Sequence, residues 1–111
     1  MITPADEAAL ALRRALVEVL RQLNRYDTEE PEVPGLEAEE LCEILARGAL
    51  PPIPRAETQQ AIEVLVGNGY ARELTDARYA WSRGRMVGSR YAITTPGKVF
   101  LLQAVQRAGR I

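Results

Sequence analysis

At Gly67-Asn68-Gly69 the hydrophobic pattern of this 111-residue chain changes its period. Before that point apolar residues recur every three to four positions, as on one side of a helix. After it they alternate every second position, as on one side of a strand. The two glycines can supply the left-handed backbone that stops a helix. The chain must therefore fold as several helices followed by a small β unit, a pattern that rules out an all-helical bundle and an all-β sandwich alike.

Three helices are predicted ahead of the switch. The first spans 4–25, with Thr3 as cap, Pro4 in the first turn, and Asp6 and Glu7 facing the positive end of the helix dipole. Leu12, Leu16, Val19, Leu20 and Leu23 form its core stripe, while Leu10 and Val17 mark a second apolar face. Residues 26–35, YDTEEPEVPG, read as a loop. The second helix covers 36–47, with Ala38, Leu41, Cys42 and Leu45 inward and Glu39, Glu40 and Glu43 outward. GALPPI, 48–53, breaks it, and Pro54 opens a third helix, 54–66, whose buried stripe is Thr58, Ala61, Ile62 and Leu65.

Beyond the switch, 70–75 reads as a strand, and Val87, Ser89, Tyr91 and Ile93 alternate on a return strand. SRGR, 82–85, is a tight turn with Gly84 at its centre, which sets Trp81 opposite Met86. A last helix spans 96–108, capped by Thr95 and opened by Pro96, with Val99, Leu102 and Val105 inward and Phe100 and Leu101 widening the apolar surface. The expected fold is mainly α with a small β-hairpin.

Composition narrows the function. The chain has no histidine, which removes the commonest general base and metal ligand, and its single cysteine, Cys42, reads as a core residue. TTPGK is not a phosphate loop, because Ala92 stands where the first glycine is needed. The expectation is a protein that is not an enzyme and uses neither metal nor cofactor. No apolar run is long enough to span a membrane, and the N-terminal MITPADEAAL has acids where an export signal has basic residues, so a cytoplasmic location is expected. Charge is divided unevenly. Residues 1–67 hold six basic and thirteen acidic groups, a balance of −7; residues 68–111 hold eight and two, a balance of +6. Arg78, Arg83, Arg85, Arg90 and Lys98 follow one another with no acid after Asp76. Such asymmetry points to a polyanion partner at the basic end.

Two stretches, TQQAIEVLVGNGYARE and YAITTPGKVFL, resemble the winged-helix (winged helix-turn-helix) DNA-binding superfamily, nearest to its MarR-like and PadR-like small regulators. TQQAIEVLVGNGYARE resembles the end of a recognition helix and the step into the wing, through Leu65, Gly69 and Tyr70. YAITTPGKVFL resembles the strand-to-helix exit, through Tyr91, Ile93, Thr94 and Gly97. The resemblance covers roughly 36–105 and implies a single domain over 1–111: an N-terminal helix at 1–25, helix-turn-helix plus wing at 36–94, and a C-terminal helix at 95–109. It implies sequence-specific binding of double-stranded DNA by a small dimeric transcription regulator. Carried over, Arg55, Gln59 and Gln60 are the base-contact candidates, and Arg78, Arg83, Arg85 and Arg90 are the wing candidates for the DNA backbone. Leu10, Val17, Phe100 and Leu101 are the candidates for a homodimer interface. The alternative is a winged-helix protein-interaction or adaptor module without DNA binding. It draws on the acidic outer face of the second helix, on Glu57 and Glu63 in the third, and on a pI of about 5.5. No operator or small-molecule effector is readable from the residues.

Overall fold

The structure, a computed structural model, describes residues 3–29, 35–74 and 90–108. Within them lie α1 (Pro4–Glu29), β1 (Leu36–Glu37), α2 (Ala38–Gly48), α3 (Arg55–Gly67), β2 (Ala71–Leu74), β3 (Arg90–Ile93) and α4 (Thr95–Ala108). The protein is mainly helical with a small antiparallel sheet.

α1 starts as its sequence dictates. The Asp6 N–H donates to the Thr3 hydroxyl and the Thr3 N–H donates to the Asp6 carboxylate, both at 3.2 Å, so two free backbone donors of the first turn are satisfied reciprocally. These Thr3 hydrogen bonds hold the Asp6 carboxyl below its ordinary pKa. The helix continues to Glu29 instead of stopping near 25, because the prolines and glycine of the loop begin only at Pro31. Ala15, Val19, Leu20 and Leu23 are buried, and Leu12, Leu16 and Val17 pack against the same core at partial burial. In α2 the buried residues are Leu41, Cys42 and Leu45; in α3 they are Thr58, Ala61, Ile62 and Leu65, the stripe its spacing predicts. One hydrophobic core joins these helices to Leu36, Ile53, Ala71, Ile93 and Leu101.

The sheet has three strands in the order β1-β3-β2, so the expected hairpin gains a third member, and the second helix begins at Ala38 after it. Glu37 pairs with Arg90 and Leu36 with Tyr91 on one side of β3; Ala71 pairs with Ile93 through Leu74 with Arg90 on the other. A strand of two residues has no room to show alternation, so β1 left no periodic signal. Gly35 makes it possible: it adopts φ +81°, and a Cβ there would overlap the Tyr91 carbonyl.

The two stretches that carry the winged-helix resemblance meet in space. α3 ends at Gly67, and in the turn that follows Gly69 takes the left-handed φ of +78°. The Thr94 hydroxyl donates to the Gly69 carbonyl at 2.6 Å, and the Thr94 N–H donates to the Tyr70 carbonyl at 3.2 Å. The same hydroxyl accepts from the Gly97 N–H at 3.2 Å, so Thr94, not Thr95, caps α4. Gly97 lies directly on the Tyr70 carbonyl and the Ile93 side chain, with no room for a Cβ.

That contact decides which face of α4 turns inward. Gly97 and Leu101, four apart, are buried, whereas Val99, Leu102 and Val105 are 50%, 58% and 42% exposed. The expected inward stripe is thus the outward one. Four consecutive apolar residues, Val99 to Leu102, allow several faces, and the close approach at Gly97 selects one.

Gly97→Ala should destabilise the fold by about 1–3 kcal/mol, the usual range for overpacking a tight contact. At roughly 4 °C or more per kcal/mol for a domain of this size, thermal unfolding will report it clearly. Gly67→Ala, where no atom lies within contact distance of an added Cβ, should leave the midpoint unchanged or raise it.

Candidate nucleic-acid interface

α3 presents the three base-contact candidates. With Thr58, Ala61, Ile62 and Leu65 buried, Arg55, Gln59 and Gln60 are all exposed in its first two turns. The gap between α2 and α3, residues 49–54, is closed by backbone: the Ile53 N–H donates to the Leu45 carbonyl at 3.1 Å, and Ile53 is fully buried. A guanidinium nitrogen of Arg14 in α1 donates to the Pro51 carbonyl. The α2–α3 pair is therefore braced from below, with its polar side outward.

That side is not simply basic. Arg55 grips Glu39 of α2 with both terminal nitrogens: Nη1 donates to Oε2 at 2.8 Å, and Nη2 donates to Oε1. The two side chains are 56% and 61% exposed. Hydrogen bonding to Arg55 holds the Glu39 carboxyl below its usual pKa, and the same contact raises that of Arg55. Glu43 and Glu63 are exposed on the same two helices, with Arg47 at the end of α2. The sequence reading places Glu39 and Arg55 outward but not together, because the contact depends on the path of the connector between them.

The wing candidates divide. Arg78, Arg83 and Arg85 lie outside the described residues, as do Trp81 and Met86. Arg90 is described, and it is buried on the central strand. Its Nη2 donates to the Gly35 carbonyl at 2.9 Å, and its Nη1 lies 3.8 Å from the Glu37 carboxylate in a pair that is about one-tenth exposed. Its guanidinium is directed at the protein interior and not at a phosphate. The reason is β1, which sets Glu37 directly beside Arg90 in the sheet register.

The interface candidates divide too. Leu10 is 57% exposed, in the first turns of α1, where residues 3–10 are all exposed. Val17 packs partly into the core. Phe100 stacks on Tyr70, with ring centroids 4.8 Å apart and planes at 30°, and Leu101 is buried in the core. Leu101 is thus unavailable to a partner, and Val99, Leu102 and Val105 take its place as the exposed apolar surface of α4. A shallow groove of about 370 Å³ adjoins them, lined by Tyr70, Thr95, Pro96, Val99, Phe100 and Gln103.

Among the described residues no cluster of acidic and cysteine side chains could hold a metal ion. Burial pushes the Cys42 thiol above its ordinary pKa, which disfavours the reactive thiolate. Among the described residues no helix is long and apolar enough to cross a membrane. No protein-family model matches the chain, and no curated protein or solved structure matches it.

Two arginines with opposite burial should respond differently to truncation. Arg90→Ala leaves Glu37 as an uncompensated buried charge and should cost about 3–5 kcal/mol in urea unfolding. Arg55→Ala removes an exposed pair and should leave the unfolding midpoint essentially unmoved.

Proposed function

We propose that the protein is a winged-helix regulator that binds double-stranded DNA as a homodimer. The observation that carries this reading is α3: a helix fixed from below by a four-residue buried stripe, exposing Arg55, Gln59 and Gln60 at its start. Its setting supports the same view. The order α1-β1-α2-α3-β2-β3-α4, with β3 central in the sheet, is the connectivity expected of a winged helix, and the wing would be the arginine-rich residues between β2 and β3. In such a protein α3 enters the major groove and the wing reaches the backbone. Arg78, Arg83 and Arg85 are the backbone contacts in this reading, and Arg90 is a structural residue.

A second reading has its own support. The Arg55–Glu39 pair cancels the one positive charge of α3, and Glu43 and Glu63 repel phosphates. A winged helix with such a face also suits a protein partner, since fold alone does not fix function.

Binding to random duplex DNA across a salt series separates the two. Three arginine–phosphate contacts per protomer give a slope of log K against log salt near −2.7, by about −0.9 per contact. Replacing Arg83 and Arg85 with alanine should make the slope shallower by roughly two and weaken all sequences alike. Absence of binding to any duplex at about 50 mM salt retires the regulator in favour of the adaptor.

The homodimer draws on the exposed Leu10, Val99, Leu102 and Val105, since two-fold pairing is the commonest way to cover such a surface. Leu102→Glu should turn a dimer into a folded monomer in sedimentation at micromolar concentration. A wild-type monomer at high micromolar concentration would remove dimerisation from the proposal.

A further inference from the structure

Glu39 belongs to α2, yet its carboxylate grips the first residue of α3 end-on, taking one N–H from each terminal nitrogen of Arg55. A guanidinium has five N–H groups in a fixed plane. Three therefore remain, and two of them, on Nε and on Nη2, point side by side along the long edge of the group. That edge is a fork of the kind that meets O6 and N7 of guanine in the major groove. An arginine held by a carboxylate at one edge has already lost the side-chain freedom that base recognition would otherwise cost. The pair is also neutral as a unit, so Arg55 carries no surplus charge with which to hold phosphates indiscriminately.

Resting on the DNA-binding reading above, we propose that Glu39 is a specificity-determining positioning residue: it fixes Arg55 so that the remaining Nε–Nη2 edge reads one guanine. Arg55 then contributes to the choice of sequence and little to general affinity. The acidic residue at this place, which taken alone argues against DNA, is the means by which α3 discriminates.

The test uses the full-length protein and a duplex selected from a random library, with fluorescence anisotropy as the readout. In the wild type, replacing one particular guanine of the selected site by 7-deazaguanine, which lacks the N7 acceptor, should weaken binding about 10-fold, within the range of one bidentate contact. In Arg55→Ala the same replacement should have no effect. In Glu39→Ala the preference for the selected site over random duplex should fall about 10-fold. Binding to random duplex should at the same time rise several-fold, and the salt slope should steepen by about one, as the released Arg55 reaches a phosphate. Glu39→Gln keeps an oxygen acceptor for Arg55 without the charge, so it should recover part of the preference while binding random duplex more tightly. A merely structural Glu39 would move neither the slope nor the 7-deazaguanine signature. Wild-type binding combined with an unchanged preference in Glu39→Ala overturns this proposal and leaves the regulator standing. No binding of the wild type to any duplex overturns both.

Discussion

The contact between the two ends of the sheet region, Gly69 and Tyr70 against Thr94 and Gly97, sets the rest of the structure. Thr94 uses one hydroxyl to reach the Gly69 carbonyl and to cap α4, and uses its backbone N–H for the Tyr70 carbonyl. The exit of α3, the start of β2, the end of β3 and the start of α4 are thereby joined within a few ångströms. Because the first turn of α4 holds a glycine pressed to a backbone carbonyl, its rotation about its own axis is fixed, and with it the identity of its exposed face. Side-chain packing elsewhere can adapt by rotamer changes; a backbone-to-backbone contact cannot.

Arginine has two uses here, and burial separates them. Arg90 ties β1 to β3 through Gly35 and Glu37 in a site with little access to water. The desolvation of both charges is large there, so the pair is costly to break even if it adds little net stability. Arg55 meets Glu39 in the open, where water and salt screen the attraction, and the contact governs geometry more than stability. The same pair of residue types therefore locks the sheet in one place and orients an exposed helix start in another.

The helices were largely legible in the sequence. The stripe Thr58, Ala61, Ile62 and Leu65 is legible because Arg55, Gln59, Gln60 and Glu63 mark the exposed side of α3, even though Val64 and Val66 flank its last member. The stripe of α2 is legible for the same reason. α4 was not, because Val99 to Leu102 are all apolar and the deciding residue is a glycine, which carries no hydropathy signal. β1 was missed because two residues cannot show a period, and Arg90 was assigned to the wing because its burial depends on that missed strand. Of the candidate site, the exposure of Arg55, Gln59 and Gln60 follows from periodicity. The Glu39 contact does not, since it arises from how α2 and α3 approach each other. Arg78, Arg83 and Arg85 remain a sequence reading, outside the described residues.

The arrangement of the sheet has a consequence for aggregation. Its middle position belongs to β3, and both edges are poor templates for another chain. Among the described residues, β1 offers two positions before the backbone turns into α2, and β2 offers four, with Arg72 and Glu73 exposed. Short edges and exposed charges are the usual means by which proteins prevent open strands from recruiting further strands. Among the described residues, strand addition is thus discouraged at both margins of the sheet, and the exposed apolar surface lies instead on helical side chains such as Val99, Leu102 and Val105.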